Sequence, residues 1–352
     1  GAVLQESSRR ALARFTAQHD LGQGQGSTRI VADTLHFDAN LQPYDLTERL
    51  RGLVENVRGD VNAVARVSWD RQDIAATGRV HLDGVSLAAA TIPIIEDVRG
   101  DIAFDDLFAL TTPPGQSVTI GLIDPGVAAR DGRVQFQLLG DQRVAIERAE
   151  FAYAMGVLSL APATITLGAE ETQFELVLSN VDATDLIKSL NLPDLAATGR
   201  LEGRFPLLLS RRAALVRNGV VRALPGGGTI AYVGSAGEGA AGMARVAFDA
   251  LRDFHYDELE IILDGDLAGE VISSIRFSGE NSGEPIDLGP ITQVPGVGNV
   301  SVRGVPFDFN VQVTAPFRRL ARTAASVSDP GVILDRTNDL NEEVDPPAPE
   351  QR

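Results

Sequence analysis

Residues 305–313 read Val-Pro-Phe-Asp-Phe-Asn-Val-Gln-Val, with an apolar side chain at every second position. Residues 61–69 read Val-Asn-Ala-Val-Ala-Arg-Val-Ser-Trp and place Val61, Val67 and Trp69 on one face. Successive side chains of a strand point to opposite faces of the sheet. Both stretches therefore predict strands with one apolar and one polar face.

The same alternation recurs along the chain, at 133–138, 173–178 and 259–263. Two short peptides also occur twice before strand-like sequence. Ala-Ala-Thr-Gly-Arg is found at 75–79 and 196–200, and Val-Arg-Gly-Asp at 57–60 and 98–101. These repetitions suggest one strand-plus-connection unit used several times.

A few segments predict helix instead. Residues 1–20 are predicted as a helical lead-in, because Leu12 and Phe15 have helical spacing. Asp45 and Glu48 resemble a capping box, with Asp45 as the N-cap. Further short helices are predicted at 182–190, 243–254 and 316–325.

The C-terminal segment differs in composition from the rest of the chain. Residues 326–352 are rich in acids and proline and hold few residues that could be buried, so we predict a disordered tail. Three regions result: the lead-in at 1–20, a β domain at 21–325 and the tail at 326–352.

Composition excludes several classes of function. The formal net charge of -17 argues against nucleic acid as a partner, since that needs a basic surface. The absence of cysteine removes disulfides, thiolate metal sites and thiol nucleophiles. The longest uncharged apolar stretch, 84–95, is too short to cross a bilayer. Because the chain begins at Gly1, we expect an export signal or anchor upstream.

Motifs for catalysis or metal binding are not found. The four histidines form no HExxH pattern, and no GxSxG elbow is present. The glycine-rich stretches 22–26 and 225–228 lack the context of phosphate-binding loops, so we interpret them as turns. Asp264-Gly265-Asp266 is interpreted as a hairpin turn. We therefore expect no enzymatic activity, no metal and no cofactor.

An ordered set of segments resembles the C-terminal region of the YdbH family, in older naming a "dicarboxylate transport" domain. The resemblance covers roughly residues 20–325. It rests on 41–47 (Leu-Gln-Pro-Tyr-Asp-Leu-Thr), 112–116, 123–126, 131–138, 197–207 and 251–259. It implies an AsmA-like fold, which is an elongated antiparallel sheet curled into an open apolar groove with a few short helices.

The resemblance also implies a function. Such proteins are anchored in the inner membrane of Gram-negative bacteria and cross the periplasm. They are implicated in moving phospholipid to the outer membrane, and this branch is associated with a small outer-membrane lipoprotein, YnbE. The alternative is an envelope assembly protein that binds only protein through its sheet edges.

Two sets of residues follow from these expectations. We expect the groove to be lined by Val61, Val67, Trp69, Val134, Phe136, Leu138, Phe174, Leu176, Leu178, Leu259, Ile261, Leu263, Phe307, Phe309, Val311 and Val313. We expect the lipoprotein to dock at the last long strand, at Val305, Asn310 and Gln312.

Overall fold

The fold is a single large antiparallel sheet. A computed structural model describes residues 2–4, 11–51, 54–89, 92–124, 128–190, 192, 194–210, 214–234, 249–266, 270–281, 286–287, 301–302 and 306–316. Within these residues, 19 strands form one sheet and two short strands pair separately. The predicted mainly β, antiparallel architecture is confirmed.

The first half of the sheet is a meander in which each strand pairs with the next. Its strands are β1 (Ala2–Leu4), β2 (Ala11–Asp20), β3 (Gln25–Phe37), β4 (Val54–Trp69), β5 (Ile74–Ala89), β6 (Ile92–Phe104), β7 (Gln116–Asp124), β8 (Ala129–Gly140) and β9 (Arg143–Tyr153). Between β3 and β4 lie the short helix α1 (Pro43–Leu46) and a 3-10 turn (Glu48–Leu50).

The second half continues the meander in the order β9, β10, β12, β14, β15, β17, β18 and β21. Its elements are β10 (Gly156–Leu160), β11 (Ala163–Thr166), β12 (Glu171–Asp182), α2 (Ala183–Ser189), β13 (Leu195–Ala197), β14 (Arg200–Ser210), β15 (Ala214–Ala223), β16 (Gly228–Tyr232), β17 (Phe254–Asp266), β18 (Glu270–Asn281) and β21 (Pro306–Pro316). β19 (Ile286–Asp287) and β20 (Ser301–Val302) form the separate pair. Among the described residues no ladder joins β21 to β1 or β2, so the sheet is open.

A line of β-bulges crosses the strands near one end. In strand after strand, two buried positions are separated by two exposed ones, as at Leu178 and Val181 around Ser179 and Asn180. Asn180 has φ 53°, which rotates the next side chain back to the buried face. The same arrangement recurs around left-handed Asp97 and Asp131, and left-handed Asn56 likewise precedes buried Val57. A further bulge, at left-handed Asn218 of β15, lies toward the other end of the strands. Bulges bend and twist a sheet, so a line of them curls it.

Two rims of the sheet can now be defined. The bulge rim is the end of the strands nearest these bulges, and it includes the β3–β4 linker. The far rim is the opposite end, and it includes the β2–β3, β4–β5 and β6–β7 connections. The β6–β7 connection lies on the far rim, because the Leu107 N–H donates a hydrogen bond to Ala76 O, near the far-rim end of β5, at 2.8 Å. An extended β5 would separate the rims by about 40 Å. Even so, Arg49 of the bulge-rim linker donates to the carbonyl of Phe108 on the far rim. The β3–β4 linker and the β6–β7 connection therefore meet across the width of the sheet there.

Three helix predictions require correction or limitation. The helical lead-in is wrong, because residues 2–4 and 11–20 are strands. The backbone groups from Arg14 to Asp20 form hydrogen bonds with β3. This pairing with another strand overrides the helical spacing of the local sequence. Asp45 is the third helical residue and not the N-cap of α1, which is Gln42, because Pro43 favours the first helical turn. Pro316 is the last residue of β21.

Other predictions fall partly outside the described residues. The parts that lie outside the described residues are 243–248 of the helix predicted at 243–254, 317–325 of the helix predicted at 316–325, and the whole tail at 326–352. The helix at 182–190 is confirmed as α2, with Asp182 as its N-cap. The hairpin after Asp264-Gly265-Asp266 is confirmed by the β17–β18 ladder, although these three residues belong to β17 itself.

Candidate functional site

The apolar residues of many strands share one face of the sheet, here called the inner face. Directly opposite residues of an antiparallel ladder lie on the same face. One row of opposite partners runs from Val61 through Leu82, Gly100, Val118, Val134, Ala149, Leu160 and Leu176 to Phe205. Gly203 lies two residues before Phe205 on β14 and so on the same face. From Gly203 the row continues through Val221, Ile261 and Ile275 to Val311. A single apolar row therefore crosses the sheet from β4 to β21.

The predicted lining residues differ in how deeply they are buried. Four are buried: Val61, Phe136, Leu178 and Leu259. Nine are half-buried: Val67, Trp69, Val134, Leu138, Phe174, Leu176, Ile261, Leu263 and Phe309. The backbone of Phe307, Val311 and Val313 lies opposite Gly279, Ile275 and Ser273, which puts these positions in the same rows. No second layer of strands covers this face within the described residues, so the half-buried side chains keep part of their apolar surface accessible.

The opposite, outer face is a lattice of exposed ion pairs. His36 faces Asp60 at 2.7 Å and His81 faces Asp101 at 3.2 Å. Arg204 contacts Glu175 at 2.9 Å. Exposed pairs of this kind add little stability. Their effect is to keep the outer face hydrophilic, which leaves the inner face as the surface suited to apolar ligands.

The bulge rim is closed by side chains in the C-terminal half of the sheet. Phe254 and Tyr256, at the start of β17, are fully buried. The ring of Phe254 meets those of Phe277 and Phe309 edge-on, each at 5.3 Å, and Phe277 stacks on Phe309 at 4.7 Å. Burial raises the pKa of the Tyr256 phenol, whose hydroxyl donates to Thr198 O at 2.6 Å. This end of the inner face is therefore a packed core.

The β3–β4 linker closes the same rim in the N-terminal half through Gln42. This side chain is buried, and its amide donates to Val57 O at 2.8 Å and accepts from the Val57 N–H at 2.9 Å. It also donates to Asp38 O at 2.6 Å. Val57 follows the bulge at Asn56, where the ladder is interrupted. The glutamine amide thus replaces the missing strand partner of Val57.

Helix α2 has a comparable position after the bulge in β12. The Asp182 carboxylate accepts from the backbone N–H of Thr184 at 2.9 Å and of Asp185 at 3.2 Å. The hydrogen bond from Asp185 is the largest cause that lowers the pKa of Asp182. Leu186 packs against the buried cluster of the C-terminal half. Linkers therefore cover the bulge rim in both halves of the chain.

The far rim carries an aromatic and polar pocket around Trp69, which ends the inner-face run of β4. Its indole N–H donates to His19 Nδ1 at 3.2 Å, and the two rings stack at 5.9 Å. Gly26 lies directly beneath the Trp69 ring, since a Cβ there would stand 2.4 Å from it. The pocket is also lined by Gln18, Asp20, Gln25, Ser27, Ser68, Asp70, Asp73 and Ala75.

The remaining predicted residues lie on β21. Asn310 and Gln312 are exposed and lie opposite Arg276 and Ser274 of β18, while Val305 falls outside the described residues. Within the described part of the chain, β21 pairs with β18 only, so its other edge has no described strand beside it.

No group of three His, Asp or Glu among the described residues could hold a metal ion. None of the helices in the described part of the chain is long and apolar enough to span a bilayer.

Sequence reasoning missed Gln42, Phe254, Tyr256 and Phe277, and with them the closure of the bulge rim. A usable signal was present in the sequence. Asn or Asp precedes the buried residue at several left-handed bulges, as at Asn56-Val57, Asp97-Val98 and Asn180-Val181. These two residue types tolerate the left-handed conformation better than other non-glycine residues. The repeated Val-Arg-Gly-Asp peptide begins directly after two of these bulges.

Comparison with known proteins identifies a family. The family model described as "YdbH-like: Intermembrane phospholipid transport protein YdbH" matches residues 3–334. No curated protein and no solved structure matches the chain.

Proposed function

Since the chain belongs to the YdbH-like family of intermembrane phospholipid transport proteins, we propose that its inner face shields the acyl chains of phospholipid in transit. Each CH₂ exposed to water costs about 0.8 kcal/mol. A lining of Val, Ile, Leu and Phe removes that cost along the whole path. The protein then carries lipid without chemical change and needs neither a catalytic group nor a metal.

The observation that carries this proposal is the continuity of the apolar row. Thirteen strands lie side by side along the row from β4 to β21, and neighbours are separated by about 4.8 Å. The row is thus on the order of 60 Å long. An acyl chain, half of a bilayer's hydrocarbon core, is about 15 Å long. Several lipids can therefore lie along one row, as a conduit requires.

Photo-crosslinking with adjacent residues tests the conduit. A photo-reactive residue at half-buried Val134 or Leu263 should capture phospholipid in cells. The same residue at exposed Arg133 or Asp264 should not, although each control is the immediate neighbour in sequence. Equal capture at inner and outer positions contradicts the proposal.

We also propose a place and two neighbours for the protein. It lies in the periplasm of a Gram-negative bacterium, is anchored in the inner membrane by a segment outside this chain, and reaches toward the outer membrane. A strand of a small outer-membrane lipoprotein pairs with the edge of β21 that faces away from β18 and extends the sheet. Crosslinkers at Asn310 and Gln312 should capture that lipoprotein, and capture of no small protein contradicts this part.

One observation favours the rival function, an assembly protein that carries no lipid. The aromatic cluster of Phe254, Phe277 and Phe309 fills the inner face at the bulge rim with protein side chains. If the whole face were filled in this way, no lipid would be captured at either Val134 or Leu263. The crosslinking experiment therefore separates the two functions.

A further inference from the structure

Two connections meet over the inner face in the N-terminal half of the sheet. Arg49 of the β3–β4 linker donates to the carbonyl of Phe108 in the β6–β7 connection. The linker belongs to the bulge rim and the connection to the far rim. Residues 41–51 and 105–111, here called the strap, therefore span the groove of the inner face from one rim to the other.

Both parts of the strap lie on the inner side of the sheet. Leu41 is buried in the cluster that contains Val61 of the inner face. Leu107 lies over Gly78, since a Cβ on that glycine would stand 3.0 Å from the leucine side chain. Gly78 is opposite Ala65 and so shares the inner face. The strap thus covers the groove and does not pass behind the sheet.

Space remains beneath the strap. The floor of the groove there is made of small residues, with Ala32 opposite Ala63 and Ala65 opposite Gly78. Ala63 and Ala65 are half-buried, so the strap does not seal them into a packed core. This section differs from the bulge rim at Phe254, where aromatic side chains fill the inner face. A floor of this kind leaves room for acyl chains.

The joint of the strap is its weakest part. At the bulge rim the linker is fixed by buried Gln42, which bonds both backbone groups of Val57. At the far rim the Leu107 N–H is bonded to Ala76 O. Between these anchors the side chain of Arg49 is exposed, and an exposed hydrogen bond exchanges readily with water. The strap can therefore open at Arg49 while both of its parts stay attached to the sheet.

We propose that the strap is a gate of the conduit. The head group of a phospholipid is polar and has to stay in water at the mouth of the groove. A closed strap crosses that mouth, so a lipid moving along the apolar row passes only when the contact between Arg49 and Phe108 is broken. The inference rests on the proposed lipid transport and adds the point at which transport is controlled.

Cysteine labelling of the purified protein measures how often the strap opens. The chain has no cysteine of its own, so a single thiol can be placed at Ala65 beneath the strap. Arg49→Ala should raise severalfold the rate at which a maleimide labels Ala65→Cys, because the strap loses its joint. Arg79→Ala removes the same charge from the outer face and should leave that rate unchanged. Unchanged labelling in Arg49→Ala, or an equal rise in Arg79→Ala, overturns the proposal.

A second thiol shows whether any rise is confined to the strap. Val134→Cys lies on the inner face outside the strap, and its labelling should be the same with and without Arg49→Ala. A rise at Val134 equal to that at Ala65 would mean general loosening of the sheet and would refute the gate.

A covalent joint tests control of transport in cells. Arg49→Cys combined with Phe108→Cys lets a bismaleimide fix the strap shut. Phe15 on β2 and Val134 on β8 both lie on the inner face, on opposite sides of the strap, and β2 is nearer the inner membrane in the proposed arrangement. A pulse of radioactive phosphate marks phospholipid newly made at the inner membrane. With the strap fixed, a photo-crosslinker should lose most of its capture of this lipid at Val134 and keep it at Phe15.

Each single cysteine variant, treated with the same reagent, is the control and should capture lipid at both positions. Persistent capture at Val134 in the fixed protein, loss at both positions, or an equal loss in the single variants overturns the gate. Absence of capture at Val134 in the untreated protein refutes the conduit itself, so the two failures are distinguishable.

Discussion

Two substitutions on the same strand test whether the inner face is open. Leu176 and Val181 both lie on the inner face of β12, but on opposite sides of the bulge at Asn180. Leu176 is half-buried in the apolar row, whereas Val181 has no exposed surface and belongs to the packed cluster. Aspartate at each position places the same charge in two different environments.

The expected losses of stability differ by several kcal/mol. At Val181 the substitution loses about 2 kcal/mol of apolar burial and forces a carboxyl group into a dry core, about 4 kcal/mol or more in total. At Leu176 roughly half of the side chain's transfer free energy is at stake, about 1 kcal/mol. The carboxylate there keeps its water because the trough is open. It still opposes acyl chains and should therefore block lipid passage.

Urea denaturation followed by far-UV circular dichroism gives the free energies of unfolding. Phospholipid captured by a crosslinker at Val134 measures transit in the same variants. We expect Leu176→Asp to remain folded and to lose most of the capture, and Val181→Asp to unfold at low urea. If Leu176→Asp is destabilised as much as Val181→Asp, the face is a closed core and the reasoning about an open trough is wrong.

Two further predictions concern the linkers of the bulge rim. Gln42→Leu should lower the free energy of unfolding by about 2–4 kcal/mol, because it leaves the buried N–H and C=O of Val57 without partners. Gln173→Leu, at an exposed position, should change it by less than about 0.5 kcal/mol, and similar losses in both would argue against the bridging role. Asp182→Ala should cost about 1 kcal/mol as a lost N-cap. Because the folded state lowers the pKa of Asp182, its contribution is present above the ordinary value of 3.8 and disappears as the pH falls through the lower folded value. Urea titrations at pH 7 and pH 2.5 should show a smaller difference between wild type and Asp182→Ala at the lower pH.

The sequence by itself determined the strands and the face that each presents. Alternation in runs such as 61–69 and 173–178 predicted both correctly, because the period of a strand depends only on local backbone geometry. The cap of α2 was also readable, since an aspartate before a helix accepts N–H groups only two or three residues away. These features depend on neighbours in sequence.

Only the tertiary structure decided where the alternation changes phase and where the inner face is filled. After each bulge, the side chains that would have pointed outward by simple alternation point inward. The left-handed backbone conformation at the bulge is maintained by the strand pairing on both sides of it. Phe254 stands among Phe277 and Phe309 because β17, β18 and β21 become neighbours, which no local pattern encodes. Residues 11–20 had a helical spacing, yet they form a strand because β3 supplies partners from Arg14 to Asp20 and β1 supplies partners for Ala11 to Arg14. Long-range pairing therefore fixed the curvature of the sheet, the closure of its bulge rim and the position of Trp69 at the far rim.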